Sequence, residues 1–305
     1  MTYQEYLQKV KDIVKEEYPD GPEASMACFF ETWMDAKHEL EKNAHGLDMT
    51  TWDYFNQSIN GLRPNEFSII CGPTGSGKTT LLANMACNLA AINTPIFIGA
   101  VETGKTDFIR VMAAILAGKD PYTVWSKEDI STIDASHAKI LKSKQHVFCR
   151  YDSRVNHERL LADLLFAHEH HGVKVAFIDN LNFLLDVKKG GDMIVEMDRA
   201  VHDFVVFVKK VPMHIFMVMH PRKTEGGRVV SEFDIKGSST AVQESANVIL
   251  WNRLEKTDHA PMGHIPAFCR EMKFCKVRKN GKSVGARIIF SVDKVSPKLS
   301  EVAIL

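Results

Sequence analysis

The chain has 305 residues, of which 45% are hydrophobic and 25% are charged, as in an ordinary globular protein. Lys and Arg together number 38, as do Asp and Glu, so the net charge is zero and any contact with nucleic acid must use a local patch. No apolar run approaches transmembrane length, the first residues lack a signal-peptide pattern, and the six cysteines show neither a C-x-x-C pair nor zinc-ligand spacing. These features argue against membrane, secreted and zinc-finger proteins, and they predict a cytosolic protein with reduced thiols and no membrane partner.

Residues 1–45 carry helix signals and form the first of two predicted domains. Apolar residues recur at helical spacing up to the string Tyr18-Pro-Asp-Gly-Pro22, and a second helix is predicted from about residue 23 to residue 42. This extension is too short to bury a core of its own, so we expect it to pack on the main domain or on a neighbouring subunit. No internal repeat, low-complexity tract or linker follows residue 60, so residues 46–305 are predicted to form one domain.

A glycine-dense turn at residues 72–79 lies between an apolar run and a segment rich in helix formers, and it matches the pattern G-x-x-x-x-G-K-[ST]. Glycines let the backbone curl into a ring of N–H groups, and the dipole of the helix that follows faces the same point. Lys78 would reach the β- and γ-phosphates of a nucleoside triphosphate, and the Thr79 hydroxyl would bind Mg²⁺. The alternative is a glycine-rich turn that matches by chance. The residues predicted to surround the nucleotide are Gly72, Pro73, Thr74, Gly75, Ser76, Gly77, Lys78, Thr79 and Thr80.

Strand and helix patterns alternate through the rest of the chain, which predicts an α/β fold with a mainly parallel sheet flanked by helices. Strands are predicted near 66–71, 96–101, 147–152, 174–179, 214–220, 247–252, 269–277 and 286–291, and helices near 78–90, 105–117, 127–141, 157–171 and 194–210. The last two strands follow one another around Lys279-Asn-Gly-Lys-Ser283, so the far edge is predicted to be antiparallel. Turn signals at Asn60-Gly61 and Pro64-Asn65 predict a tight, hairpin-like approach to the first strand.

Three further strands end in side chains that could act on a nucleotide, because the carboxyl ends of parallel strands meet at the ligand edge of a sheet. Asp179 has the position of a Walker B carboxylate, which would hold the Mg²⁺ water shell. Glu102 could deprotonate the attacking water, and His220 could sense the γ-phosphate. Each has an ordinary alternative: an Asp that starts a turn, a surface Glu, and a strand-end histidine with a structural partner.

Cations are concentrated in two glycine-containing loops and on one late strand. The loops follow Asp179 and His220, and they could bind the backbone of a nucleic acid or be solvated surface loops. Their candidate DNA-binding residues are Lys188, Lys189, Arg222, Lys223, Arg228, Lys236 and Gly237. On the late strand, Lys276 and Arg278 point to one face by the period of two, and such an arginine could enter the nucleotide site of a neighbouring subunit. A solvated edge protected by lysines is the alternative.

Taken in this order, the motifs resemble the RecA-like motor domain of DnaB-type hexameric replicative DNA helicases, a superfamily that includes Twinkle and the helicase-primases of short-tailed phages. The resemblance covers about residues 46–292. It is carried by Gly61-Leu-Arg-Pro-Asn-Glu66, residues 72–79, Glu102, Ile178-Asp-Asn-Leu181, Met219-His-Pro-Arg-Lys223, Asp234-Ile-Lys-Gly-Ser238, Gln243-Glu-Ser-Ala246 and Lys276-Val-Arg278.

The resemblance implies a RecA-like P-loop NTPase that forms a ring, most simply a hexamer, with a heptamer as the alternative. It would hydrolyse ATP or another NTP or dNTP with Mg²⁺ and move 5′ to 3′ on single-stranded DNA, with a primase and a polymerase as candidate partners. The resemblance implies that Lys78, Thr79 and Asp179 bind the nucleotide and Mg²⁺. It implies that Glu102 is the catalytic base and that His220 senses the γ-phosphate. Arg278 would be an arginine finger that acts in trans, assisted by Lys276, and Arg253 would be an arginine at the subunit interface. The cell compartment implied is the cytoplasm, with the nucleoid, an infected host cell or a mitochondrion as settings.

Two departures and two alternatives accompany this resemblance. Residues 1–45 match neither a primase nor an N-terminal collar, so the chain is a stand-alone motor or a fragment of a larger one, and the hairpin after Arg278 is one residue longer than in relatives. A recombinase-like or KaiC-like ATPase would share the core without unwinding DNA. A helicase loader or scaffold would bind nucleotide and scarcely hydrolyse it.

Overall fold

A computed structural model of the chain describes residues 45–136, 147–148, 156–185, 192–221, 230–231, 234–235, 239–254 and 268–305. The described residues from Gly46 onward belong to one compact unit. Residues 1–44 lie outside these ranges, so the helical extension and the division of the chain at residue 45 stay predictions. None of the helices in the described ranges combines the length and the apolar character that crossing a bilayer requires.

One sheet contains the nine described strands. In chain order they are β1 (Glu66–Cys71), β2 (Ile96–Ala100), β3 (Val147–Phe148), β4 (Val175–Asp179), β5 (His214–Met219), β6 (Asn247–Arg253), β7 (Cys269–Val277), β8 (Arg287–Val292) and β9 (Leu299–Ile304). Across the sheet their order is β3-β2-β4-β5-β1-β6-β7-β8-β9. The strands from β3 to β6 in this order are parallel, and β6 to β9 pair antiparallel. The predicted fold class, with its antiparallel far edge, is confirmed.

The helices agree with the sequence where start and stop signals are local. They are α1 (Asp53–Ile59), α2 (Lys78–Ala91), α3 (Lys105–Ala117), α4 (Lys127–Ser136), α5 (His157–His171), α6 (Met193–Lys210) and α7 (Ser239–Glu244), with 3₁₀ turns at Leu181–Leu184 and Gly281–Ser283. The sequence missed α1, α7 and β9. In place of a tight hairpin before β1, an antiparallel bridge joins Leu47 to Leu62 across α1.

The core consists of two large hydrophobic clusters, one on each face of the sheet. α1, α2 and α3 cover the first face, where Trp52 and Trp251 are fully buried. α5, α6 and α7 cover the second face, where Leu164 and Phe204 are fully buried. Because the central parallel strands are buried on both faces, their sequences are continuous apolar runs, which makes them recognisable without a structure.

The parallel strands give the sheet a carboxyl edge, where β1, β2, β4 and β5 end, and an amino edge, where they begin. β6 starts at the amino edge with Asn247, which pairs with Val277 at the end of the antiparallel strand β7. Lys276 and Arg278 therefore lie at the amino edge. A strand of six residues such as β1 separates the two edges by roughly 20 Å.

A buried chain of hydrogen bonds, called here the amino-edge chain, joins the first residues of three strands. Asn247 Nδ2 donates to Glu66 Oε2 (3.1 Å) and to Ser68 Oγ (2.9 Å). Ser68 Oγ lies 2.8 Å from His214 Nε2, and His214 Nδ1 lies 2.9 Å from the carbonyl oxygen of Arg63. Since a carbonyl can only accept, Nδ1 carries the proton and Nε2 accepts from the serine hydroxyl. Burial lowers the pKa of His214 to about 4 and raises the pKa of Glu66.

Candidate nucleotide site

The P-loop follows β1, and two of its glycines stand where another residue would not fit. Gly77 precedes α2 with a φ of 90°, in the left-handed region. A Cβ atom at Gly72 would lie 2.1 Å from the carbonyl oxygen of Trp251, because the end of β1 passes directly against β6. The Ser76 N–H donates to the Pro73 carbonyl over 3.1 Å and closes the turn. The loop thus brings the first N–H groups of α2 to the carboxyl edge, an arrangement that binds phosphate.

Side chains from β6 and β7 hold the P-loop by its carbonyl groups. Trp251 Nε1 and Arg270 Nε each donate to the Ser76 carbonyl over 3.1 Å. Arg253 Nη2 donates to the Gly75 carbonyl. Because the C=O and the following N–H of a trans peptide point in opposite directions, a donor on the Ser76 carbonyl turns the next N–H away from β6. These contacts favour a loop whose N–H groups can face an anion.

Lys78, the first residue of α2, is a buried cation within the loop. Its Nζ donates to the carbonyls of Gly72 (2.8 Å) and Pro73 (2.9 Å). Burial lowers the pKa of Lys78, and the nearby Asp179 carboxylate is the largest of the groups that oppose this shift. A lysine ammonium binds phosphate groups as a point charge, so Lys78 is suited to bind a polyanion such as a triphosphate.

Thr79 and Asp179 come together across 100 positions of sequence, where Thr79 Oγ1 donates to Asp179 Oδ2 over 2.5 Å. Burial raises the pKa of Asp179, the hydrogen bond from Thr79 opposes that shift, and the Glu102 carboxylate adds to it. A hydroxyl and a carboxylate side by side are the hard oxygen donors that Mg²⁺ prefers, so this pair fits that ion. Among the described residues no cluster of three His, Cys, Asp or Glu side chains could hold a metal.

Glu102 and His220 meet through Asn180, because β2, β4 and β5 are neighbours in the sheet. Asn180 Nδ2 donates to Glu102 Oε2 and lies 2.8 Å from His220 Nε2. Glu102 Oε2 and His220 Nε2 are 3.4 Å apart. The backbone N–H of Glu102 also donates to the carbonyl of Asp179 over 2.9 Å. The structure therefore brings the predicted base, the predicted sensor and the predicted Walker B carboxylate to one point of the carboxyl edge.

Lys276 and Arg278 are not part of this cluster. Both contact carbonyl groups at and just beyond the C-terminal end of α7, where a helix leaves its last acceptors without internal partners. Lys276 Nζ donates to two of them over 2.8 and 2.6 Å. Arg278 Nη2 lies 3.3, 3.2 and 3.4 Å from three of them. The chain thus holds these cations at the amino edge, away from its own P-loop.

Of the remaining residues predicted to bind nucleotide or DNA, one lies within the described part of the chain and seven lie outside it. Arg253 lies beside the P-loop of its own chain, on the Gly75 carbonyl. Lys188, Lys189, Arg222, Lys223, Arg228, Lys236 and Gly237 lie outside the described residues, so their contact with DNA stays a prediction. One end of the longer loop is described: Pro221, directly after His220, forms an antiparallel bridge with Ile235.

Sequence reasoning missed three side chains of the site, namely Asn180, Trp251 and Arg270. Asn180 directly follows Asp179, an aspartate at the end of a strand on the ligand edge of the sheet. This position is the local feature of the sequence that could have indicated a role for Asn180 in the site. Arg270 and Trp251 could be connected with the P-loop only from the pairing of β6 with β7, which sets Arg270 opposite Arg253.

Comparison with known proteins identifies a family for this chain and solved structures with the same fold. A family model described as an AAA domain matches residues 40–226, more than half of the chain. A solved structure described as an ATPase domain has a TM-score of 0.75 at 13% identity, and the match covers 91% of this chain and 100% of that chain. A structure described as "The Structure Of A DnaB-Like Replicative Helicase And Its Interactions With Primase" has a TM-score of 0.75 at 14% identity, covering 98% of this chain and 77% of that chain. The predicted resemblance to DnaB-type motor domains is confirmed at the level of the fold.

Proposed function

We propose that this chain, which belongs to the AAA domain family, is a ring-forming NTPase that moves along single-stranded DNA and unwinds duplex DNA in the 5′ to 3′ direction. Its substrate would be ATP or another NTP or dNTP with Mg²⁺. One observation carries the proposal: the P-loop and the acidic residues meet at the carboxyl edge, whereas Arg278 is held at the amino edge. The domain division at residue 45 belongs to the same proposal, with the extension docking on a neighbouring subunit.

Hydrolysis would use side chains that four elements bring to the carboxyl edge. Lys78 would bind the β- and γ-phosphates. Thr79 and Asp179 would hold Mg²⁺, whose chemistry here is to neutralise charge on the phosphates. Glu102 would orient and deprotonate the attacking water, and His220 would respond to the γ-phosphate.

The cation that stabilises the transition state would come from a second copy of the chain. Arg278 lies roughly 20 Å from the carboxyl edge of its own sheet, beyond the reach of its side chain. A guanidinium has five donors, so anchoring Nη2 on the carbonyls after α7 is compatible with a bidentate contact to phosphate through the others. A ring in which the amino edge of one subunit faces the carboxyl edge of the next would complete every site, with Lys276 assisting.

Single-stranded DNA would be bound by the cations in the two loops that follow β4 and β5 in sequence. The second loop leaves directly from His220, and its first residue after the histidine, Pro221, forms an antiparallel bridge with Ile235. A change at the γ-phosphate would therefore reach the loop through adjacent residues. The second solved structure is a helicase described with a primase, and a primase and a polymerase are the partners we would test for this chain.

The first experiment is NTP hydrolysis by the purified chain, with and without single-stranded DNA, across a series of protein concentrations. We expect stimulation by DNA and a specific activity that rises cooperatively with concentration, because each site needs a neighbour. Partial duplexes that carry one single-stranded tail, either 5′ or 3′, test polarity. Only the duplex with the 5′ tail should be unwound. Lys78→Ala, measured in parallel, identifies any contaminating activity.

The other functions named above predict different results from the same experiment. Turnover that is indifferent to DNA would contradict the helicase and leave a KaiC-like ATPase. DNA-stimulated turnover without unwinding would indicate a recombinase-like enzyme. Nucleotide binding without turnover would indicate a loader or scaffold.

A further inference from the structure

We propose that Asn180 is a positioning residue that fixes the orientation of Glu102 and couples it to His220. The inference rests on the proposed hydrolysis of NTP at this site. Its basis is the place of the Asn180 side chain, which is fully buried between the two side chains that the reaction would use.

The orientation of the Asn180 amide is determined by the backbone. Its Oδ1 accepts a hydrogen bond from the Asn182 N–H over 3.0 Å and caps the 3₁₀ turn that follows β4. A backbone N–H can only donate, so the oxygen must face the turn and the NH₂ group must face the other way. Both hydrogens of Nδ2 are therefore directed at the cluster of Glu102 and His220.

This NH₂ group anchors one oxygen of a flexible side chain. Glu102 has a side chain that is 37% exposed, and its Oε2 accepts from Asn180. Holding Oε2 leaves Oε1 to take a proton from water in a defined direction. A misplacement of about 1 Å at a reacting group can cost about 10²-fold in rate. An anchor that fixes the position of the Glu102 carboxylate can therefore increase the rate of hydrolysis.

The second hydrogen connects the base with the sensor. His220 Nε2 lies 2.8 Å from the same Nδ2 and can accept its other hydrogen. Any displacement of His220 then changes the group that holds Glu102. His220 continues into Pro221 and the bridge to Ile235, so Asn180 would link the base to the loop that follows β5.

Asn180→Ala should lower kcat by about 10²-fold while the Kd for nucleotide stays nearly unchanged, since the P-loop is untouched. It should also remove the stimulation by single-stranded DNA. Asn180→Asp keeps an oxygen for the Asn182 N–H but donates nothing and sets a carboxylate against Glu102, so its kcat should fall at least as far. Asn182→Ala is the matched control, because it alters the same turn and keeps the backbone N–H, and it should hydrolyse NTP normally.

A double-mutant cycle separates positioning from general damage to the fold. If Asn180 acts through Glu102, Asn180→Ala should cause little further loss in a Glu102→Gln background. A purely structural role would instead reduce the residual rate by the same factor in both backgrounds. Circular dichroism and thermal melting of each variant show whether it is folded.

The possible failures are distinguishable. A wild-type chain without NTP turnover would overturn the proposed function and this inference with it. A wild-type chain that turns over, together with an Asn180→Ala variant of similar kcat, would overturn the inference alone. An Asn180→Ala variant that is slow and still stimulated by DNA would overturn the coupling to His220.

Discussion

The two edges of the parallel sheet are formed by the same strands, yet they hold polar groups in opposite ways. At the amino edge, Asn247, Ser68 and His214 form a directed chain in which each donor meets an acceptor. At the carboxyl edge, Lys78 donates to its own loop and Thr79 donates to a carboxylate, contacts that phosphate and Mg²⁺ could replace. The polar groups of the amino-edge chain are thus satisfied by one another, whereas those of the carboxyl edge make contacts that a substrate could take over.

Burial also has different consequences at the two edges. It brings the pKa of His214 to about 4, which leaves that side chain neutral near pH 7. It lowers the pKa of Lys78 and raises that of Asp179, but each of these groups opposes the shift of the other. The ammonium group and the carboxyl group of this edge lie close enough for each to favour the charged form of the other against burial.

Replacing Arg278, which lies at the amino edge, should have the largest effect on turnover. Arg278→Ala should lower kcat by about 10³–10⁵-fold, the range for loss of an arginine finger. The Kd for nucleotide should change little, because Arg278 does not contact the P-loop of its own chain. Steady-state hydrolysis with single-stranded DNA measures the effect, and a kcat close to that of wild type would contradict it.

Mixing two inactive variants tests whether this arginine acts between subunits. Arg278→Ala has an intact P-loop, and Lys78→Ala has an intact arginine, so mixed oligomers should recover turnover. Lys78→Ala mixed with Glu102→Gln is the control, since both changes affect the same edge and no subunit pair completes a site. If the first mixture stays inactive, the two edges do not meet in trans.

At the carboxyl edge, Glu102→Gln should lower kcat by about 10²–10⁴-fold, the usual contribution of a general base. Nucleotide binding should persist, because the substitution conserves shape and leaves Lys78 and Thr79 in place. Asp107→Asn on α3, an exposed carboxylate paired with Arg110 at 3.9 Å, should leave kcat unchanged. Persistent turnover in Glu102→Gln would remove Glu102 from the role of base.

The amino-edge chain should make the folded state sensitive to acid. His214 is protonated below its usual pKa of 6.5 in the unfolded chain, but only below about pH 4 in the folded one. The free energy of unfolding should therefore fall by on the order of 3 kcal/mol as the pH drops through this window. Urea unfolding at several pH values measures this loss.

His214→Gln isolates that contribution, because the variant cannot titrate at this position. Glu66, whose pKa burial raises, takes up a proton more readily in the folded state, so it works in the opposite direction at the acidic end. The variant should be less stable near neutral pH and should show a flatter pH dependence. An unchanged slope would mean that His214 is not held neutral.

Elements with local signals could be predicted from the sequence almost to the residue. α5 starts after Asn156, whose side chain accepts from the Arg159 N–H over 2.9 Å, and it ends at Gly172 with a φ of 64°. α3 ends in the same way at Gly118. The P-loop and the strand-end Glu102 could be predicted because glycine spacing and buried strands are also local patterns.

The rest depends on contacts between distant parts of the chain. The role of Asn180 follows from three strand ends that meet, and the role of Arg270 follows from the pairing of β6 with β7. α1 has seven residues, and its N-cap, Trp52, makes no capping hydrogen bond through its side chain. No propensity in the sequence would form so short a helix without an external partner.

That partner is Glu301 on β9, and its removal should have the smallest of these effects. Its two carboxylate oxygens accept from the N–H groups of Tyr54 (2.9 Å) and Phe55 (2.7 Å) at the start of α1. At the other end of α1, near the amino edge, Asn280 donates to backbone carbonyls. Glu301→Gln keeps one acceptor and turns an NH₂ group towards the other N–H, so the free energy of unfolding should fall by about 1 kcal/mol. Ser300→Ala, at the exposed neighbouring position, should leave stability unchanged in the same urea titration. If Glu301→Gln is as stable as wild type, the buried Trp52 and Phe55 and the hydrogen bonds from Asn280 hold α1 in place without this cap.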